Sequence, residues 1–240
     1  MGFRRLPIWV APLLFFAGGA SAAEEELRLD GFETGQTAFF QSGFVTGEVG
    51  AVRLTPTLAC PCQVLQVTVL FGGAASTEDV GVLVWDDPTG ALDPGVPIFD
   101  GTATLTGSNQ NLQQIDLNSQ NVFVSGPFRV GIEFTHSGLP SIARDDDGTI
   151  DVNNNFIEAD ILGTFVWFRS ADLGVSGDWI IRATVESLQP EVPALSPWGL
   201  AVTSGLLLAT AAILLFPKGR PARVGRRDRR GRSTSSASAT

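Results

Sequence analysis

Cys60-Pro61-Cys62 is the chain's only cysteine pair. In an extended strand, residues two apart point the same way with α-carbons roughly 6.6 to 6.8 Å apart, at the limit for a disulfide. Cys60 and Cys62 are therefore either bonded locally, with Pro61 bending the chain to close the gap, or free thiols. So short a loop removes little chain entropy, and no neighbouring cation is present to favour a reactive thiolate. Asp145-Asp146-Asp147-Gly148, followed by Asp151 and Asn153-Asn154-Asn155, concentrates the oxygen ligands that a hard cation prefers. Setting Gly148 at the sixth position of an EF-hand loop puts Ala143 first and Asn154 twelfth, where carboxylates are required, so the segment is no EF-hand. Two readings stay open: a structural calcium site built from Asp145, Asp147 and Asp151, and a solvated Asp/Asn/Gly turn.

Trp85 and Trp167 are candidates for stacking against the apolar face of a sugar ring, with core packing as the alternative. Trp179 keeps step with Ile181 and Val185 and is expected in the core. His136, in Thr135-His136-Ser137-Gly138, sits where a turn is expected, and there is no Gly-x-Ser-x-Gly elbow to accompany it. No catalytic residue is assigned. A glycoside hydrolase needs two carboxylates, which the many acids could supply, but the sequence singles out no pair. No cofactor is required by any of these groups, calcium being the one candidate.

The elements that must position these residues are short strands. The chain has 240 residues with 27 glycines and 14 prolines, which disfavours long helical bundles and favours many turns. Between about residues 23 and 187 the apolar residues alternate. Leu65, Val67, Val69 and Phe71 share one face with Gln66 and Thr68 opposite; Phe128, Val130, Ile132 and Phe134 do so against Arg129, Gly131, Glu133 and Thr135. Trp179, Ile181, Ala183 and Val185 repeat it. Further strands are expected near Val80–Trp85, Ile98–Leu105, Leu112–Leu117 and Thr164–Phe168, separated by turn-rich stretches such as Asp86-Asp87-Pro88-Thr89-Gly90. The expected fold is all-β: an antiparallel two-sheet sandwich, jelly-roll-like, of eight to twelve strands.

Both ends are different in kind. Residues 1–22 carry Arg4 and Arg5, an apolar run from Leu6 to Phe16 and small residues Ala20-Ser21-Ala22, the layout of a signal peptide cleaved after Ala22, with an uncleaved anchor as the alternative. A Pro-rich stalk, 188–197, leads to Trp198–Phe216, which holds no charge across 19 residues. As a helix it would be about 28 Å long against a hydrocarbon core of about 30 Å, so it is expected to span a membrane. Residues 217–240 form a basic tail, with eight Lys and Arg, expected to be disordered and cytoplasmic.

Charge is segregated accordingly. The formal total is −9, but the segment between the ends carries 24 acids against six bases. Such a body would repel nucleic acid. With the basic tail inside, the acidic body faces outward.

Val192-Pro193-Ala194-Leu195-Ser196-Pro197-Trp198-Gly199, followed by an apolar helix and an Arg-rich end, resembles the IPTL-CTERM sorting signal, a relative of PEP-CTERM. That motif reads Ile-Pro-Thr-Leu-Ser-Glu-Trp-Gly, so Pro193, Leu195, Ser196, Trp198 and Gly199 match, while Val192 and Ala194 are mild departures and Pro197 replaces an acid. The resemblance covers about Val192 to Arg232. It implies that an exosortase-type membrane enzyme cuts near the motif and passes the protein to the surface of a Gram-negative bacterium. A plain membrane anchor is the alternative. The middle segment looks like the sandwich ectodomains, lectin-like modules among them, that accompany such signals. The expectation is an exported, non-enzymatic binding module for extracellular polysaccharide, anchored first in the inner membrane and then placed at the cell surface or in the extracellular matrix. A glycan-cleaving enzyme and a structural envelope protein are the alternatives.

Overall fold

A computed structural model describes residues 22–189 of the chain. The sequence-expected leader up to residue 21, and the sorting motif, apolar helix and basic tail, lie outside the described residues. Among those described, no helix is long and apolar enough to cross a membrane.

Fourteen strands follow in order: β1 (Glu24–Leu27), β2 (Phe39–Phe40), β3 (Val49–Leu54), β4 (Cys62–Val69), β5 (Phe71–Gly72), β6 (Thr77–Asp86), β7 (Phe99–Thr106), β8 (Gln113–Asp116), β9 (Val122–Val124), β10 (Phe128–Phe134), β11 (Ser141–Arg144), β12 (Asn155–Ile161), β13 (Thr164–Arg169) and β14 (Ile181–Ser187). A six-stranded sheet runs β13-β12-β3-β10-β6-β7. A second runs β1-β14-β4-β8, with β9 also paired to β4, and a small third sheet runs β2-β11-β5. Every pairing is antiparallel.

The two larger sheets form a sandwich. Val52, Val82, Val84, Val130 and Ile132 from the six-stranded sheet share one core cluster with Val64, Val67, Val69, Ile181 and Ala183 from its partner. Each Val or Ile side chain withdrawn from water contributes about 1.5 to 3 kcal/mol. Phe128, Val130, Ile132 and Phe134 are all buried on the inner face of β10, as their alternation predicts, and so are Trp179, Ile181, Ala183 and Val185 along β14 and its approach.

Along β4 the expected phase breaks. Val67 pairs with Ala183, but the register shifts between Thr184 and Val185, so that Gln66 faces Thr184 and Val64 faces Val185. A bulge at Leu65 takes up the extra residue. Val64 and Cys62 therefore enter the core and Leu65 does not. Reading straight alternation across a bulge exchanges the two faces beyond it.

The outer face of β10 departs from expectation as well. Arg129, Gly131 and Glu133 alternate with the apolar residues of β10, a pattern that predicts a solvated face, yet Arg129 is fully buried. A second apolar cluster of Val49, Ala51, Leu83, Trp85, Phe156 and Trp167 covers this side of the six-stranded sheet. That sheet is thus packed on both faces.

Candidate functional site

Register across the six-stranded sheet fixes which side chains meet on this outer face, because directly paired residues of antiparallel strands project to the same side. Trp167 pairs with Glu158, Glu158 with Val49, Val49 with Glu133, and Glu133 with Gly81. One row thus crosses five strands with a carboxylate on each side of Val49. The next row sets Phe156, Ala51, Gly131, Leu83 and Asp100 side by side. Arg53, Arg129 and Trp85 follow in the third.

Two glycines shape this surface. A Cβ on Gly131 would lie 2.7 Å from Val49 Cγ1 and 3.0 Å from Trp85 Cζ3, so the absent side chain is what lets the Trp85 ring lie down on the sheet. A Cβ on Gly81 would meet the Glu133 carboxylate at 2.7 Å, so Glu133 reaches across a strand left bare there. Trp85 and Trp167 then meet edge to face, with ring centroids 5.5 Å apart. Both are nearly buried. They form a floor rather than an exposed platform.

Beneath the floor lies Arg129. Its Nε and Nη2 donate to Asp87 Oδ2 at 3.1 and 2.7 Å, and the guanidinium also donates to the Leu92 and Ala91 carbonyls. Its Cζ stands 3.6 Å from the centre of the Phe156 ring and 5.0 Å from that of Trp167. Burial lowers the Arg129 pKa against the pull of Asp87. These bonds draw the start of the β6–β7 connection over the sheet, and the Trp85 indole N–H donates to the Gly95 carbonyl at 3.1 Å to hold its far part.

The result is a groove of about 590 Å3, floored by Val49, Leu83, Trp85 and Trp167 and edged by Phe165 on one side and Leu92 on the other. Its ionisable lining consists of Asp93, Asp100, Glu133 and Glu158. Glu133 and Glu158 accept no hydrogen bond and join no ion pair among the described residues. Burial raises the pKa of Glu133, with Asp100 adding to it; burial also raises that of Glu158, with Asp93 and Glu133 adding. The groove therefore combines apolar and aromatic surface with carboxylates left free to accept hydrogen bonds.

Elsewhere, Asp145, Asp146 and Asp147 line a separate concavity. Asp145 accepts the Gly31 amide at 2.8 Å on one oxygen and the Asp178 amide at 2.9 Å on the other. Asp147 accepts from the Thr149 amide and hydroxyl, and Asp151 from the Asn153 amide and the Asn154 side chain. These carboxylates thus serve nearby backbone and side-chain donors, and among the described residues no group of three or more His, Cys, Asp or Glu is placed to hold a metal. Cys60 and Cys62 are joined in a disulfide, with α-carbons 4.5 Å apart. Strand β4 begins only at Cys62, so the strand spacing does not apply to the pair. His136 Nε2 lies 2.7 Å from the Pro140 carbonyl, and its ring contacts Phe71 and Phe134.

No protein-family model matches the chain, and no curated protein matches it. Among solved structures, the cysteine protease and lectin-like domains of Cwp84, a surface layer associated protein of Clostridium difficile, match at 12% identity and a TM-score of 0.39, covering 60% of this chain and 33% of that one. A clostridial Cwp84 cysteine protease after propeptide cleavage matches at 12% identity and a TM-score of 0.44, covering 68% of this chain. The match spans 40% of that second chain's length.

Proposed function

We propose that this is an exported surface protein whose jelly-roll-like sandwich binds polysaccharide in the groove over Trp85 and Trp167. Export by a signal peptide, membrane insertion of Trp198–Phe216 and handling by an exosortase-type enzyme at Val192–Gly199 are parts of this reading that rest on the sequence. The observation that carries binding is the row Trp167, Glu158, Val49, Glu133: apolar and aromatic surface flanked by two carboxylates with no partner of their own. Sugar rings present the matching pair of features, C–H faces for the aromatic floor and hydroxyl donors for the carboxylates. Glycan-array screening of the purified chain tests it. Binding that disappears in E133Q/E158Q, with the melting temperature kept, is the expected result; an array without a single retained glycan would refute it.

One observation favours a second reading, that the groove cleaves glycans. Glu133 and Glu158 are both in register with Val49, which puts their α-carbons about 10 Å apart, two strand spacings, across a groove. Paired carboxyls of glycoside hydrolases stand about 5 to 9.5 Å apart, and the acid of such a pair has a raised pKa, the direction in which burial moves both groups here. Release of reducing ends from a retained glycan, lost in either E133Q or E158Q alone, would establish it.

A further inference from the structure

We infer that the groove prefers glycans carrying free amino groups, a conclusion that rests on the polysaccharide-binding reading above and narrows its ligand class. Four acids and no base line the cavity. Arg53, Arg129 and Arg169 share this face but none lines the cavity; Arg129 has its donors engaged by Asp87, Ala91 and Leu92, and Arg53 donates to the Asp87 and Pro88 carbonyls. A uronic acid or sulfated glycan would meet only like charge, while an ammonium group placed between Glu133 and Glu158 would meet two carboxylates that nothing else neutralises.

A second, independent feature points to what must accompany the cation. Trp167 is nine-tenths buried, at 9% exposure, and its indole N–H has no acceptor among the described residues, although it is not sealed from solvent. The Trp85 indole, by contrast, is satisfied at Gly95. Trp167 and Glu158 pair directly across the sheet, and both residues line the groove. The ligand needs an acceptor oxygen next to a cationic donor, on a ring with an apolar face. An amino sugar supplies its hydroxyl or ring oxygen, its ammonium group and its C–H face within one residue. A simple diamine supplies the charge without the acceptor.

Isothermal titration of the full chain in detergent with a glucosamine hexamer, its fully N-acetylated counterpart and a galacturonate hexamer tests this. The amino hexamer should bind about tenfold or more tighter than the acetylated one, with no binding of galacturonate. In E133Q/E158Q both hexamers should bind more weakly, the amino hexamer by the larger factor, so that its preference is lost. Equal or tighter binding of the acetylated hexamer overturns the amino-group preference and leaves polysaccharide binding standing; failure of all three overturns the preference, and the glycan array then decides polysaccharide binding. Charge on the Asp145–Asp147 loop, which does not line the groove, provides the control. If D146N/D147N erodes the preference as much as E133Q/E158Q, the selectivity belongs to the net charge of the body, and the inference is wrong.

Discussion

Arg129 holds Asp87 through two guanidinium nitrogens, and both side chains are sealed beneath the floor of the groove, with Arg129 fully buried. Asp87 is the link between the six-stranded sheet and the connection that walls the groove, since it also accepts the Gly90 amide at 2.9 Å. Asp87→Ala would leave a buried guanidinium without its counterion, at a cost of about 3 to 5 kcal/mol. Urea unfolding followed by tryptophan fluorescence would measure it. A loss below about 1 kcal/mol would mean that the two backbone carbonyls suffice to hold Arg129.

Gly131→Ala tests the seating of Trp85. The residue is not in a left-handed conformation, so the backbone accepts alanine, and the damage comes from the new methyl group pressing on Val49 and the indole. Overpacking of this kind costs about 1 to 3 kcal/mol. A displaced Trp85 should also shift the emission maximum and weaken glycan binding. Unchanged stability and emission would show that Trp85 moves aside freely.

The carboxyls of the groove give a pH signature. Folding raises the pKa of Glu133 and Glu158, so between the ordinary carboxyl range and the raised values the native chain binds more protons than the unfolded one, and stability falls as pH rises. The groups facing them are Asp93 and Asp100, with the Arg129–Asp87 pair behind the floor. Asp145 and Asp178, raised chiefly by burial, slope the same way, so the comparison is between variants. E133Q/E158Q should flatten the melting-temperature profile from about pH 4 to 7 and equal or exceed the parent at the upper end. Parallel profiles would contradict the desolvation of these two groups.

Mature-protein sequencing is expected to start at Ala23. The Ser187 amide donates to the Ala23 carbonyl at 2.9 Å and β1 begins at Glu24, so cleavage after Ala22 leaves the first strand whole. A mature start beyond Glu26 would remove most of β1, including the Glu25 carboxylate that accepts from Thr57, and would rule out that cleavage position.

Much of this architecture can be read from alternation alone, and its limits have physical causes. On β10, inner Phe128, Val130, Ile132 and Phe134 against outer Arg129, Gly131 and Glu133 identify both the strand and the side that carries Glu133. Strand β12 is harder: Phe156 packs outward under Trp167 while Ile157 packs inward, so two buried neighbours erase the period of two and hide Glu158. Trp85 follows Val84 and is in the opposite phase, which places it on the outer face, but nothing local announces that the β6–β7 connection will fold over it. That depends on Arg129 and Asp87, 42 residues apart. The bulge at Leu65 likewise arises from pairing with β14, more than a hundred residues downstream, and leaves no mark in its own segment.

The hydrogen bond between Ser187 and Ala23 sets the two ends of the sandwich side by side, and the Leu188 amide continues the same seam by donating to the Pro61 carbonyl at 3.0 Å. A short Gly/Ser bridge joining these ends would therefore close the polypeptide into a ring without stretching it, and fresh termini opened at the exposed tip at Leu162–Gly163 would give a circular permutant with every sheet intact. The same closeness suits the body for grafting into a surface loop of a host protein as a self-contained module.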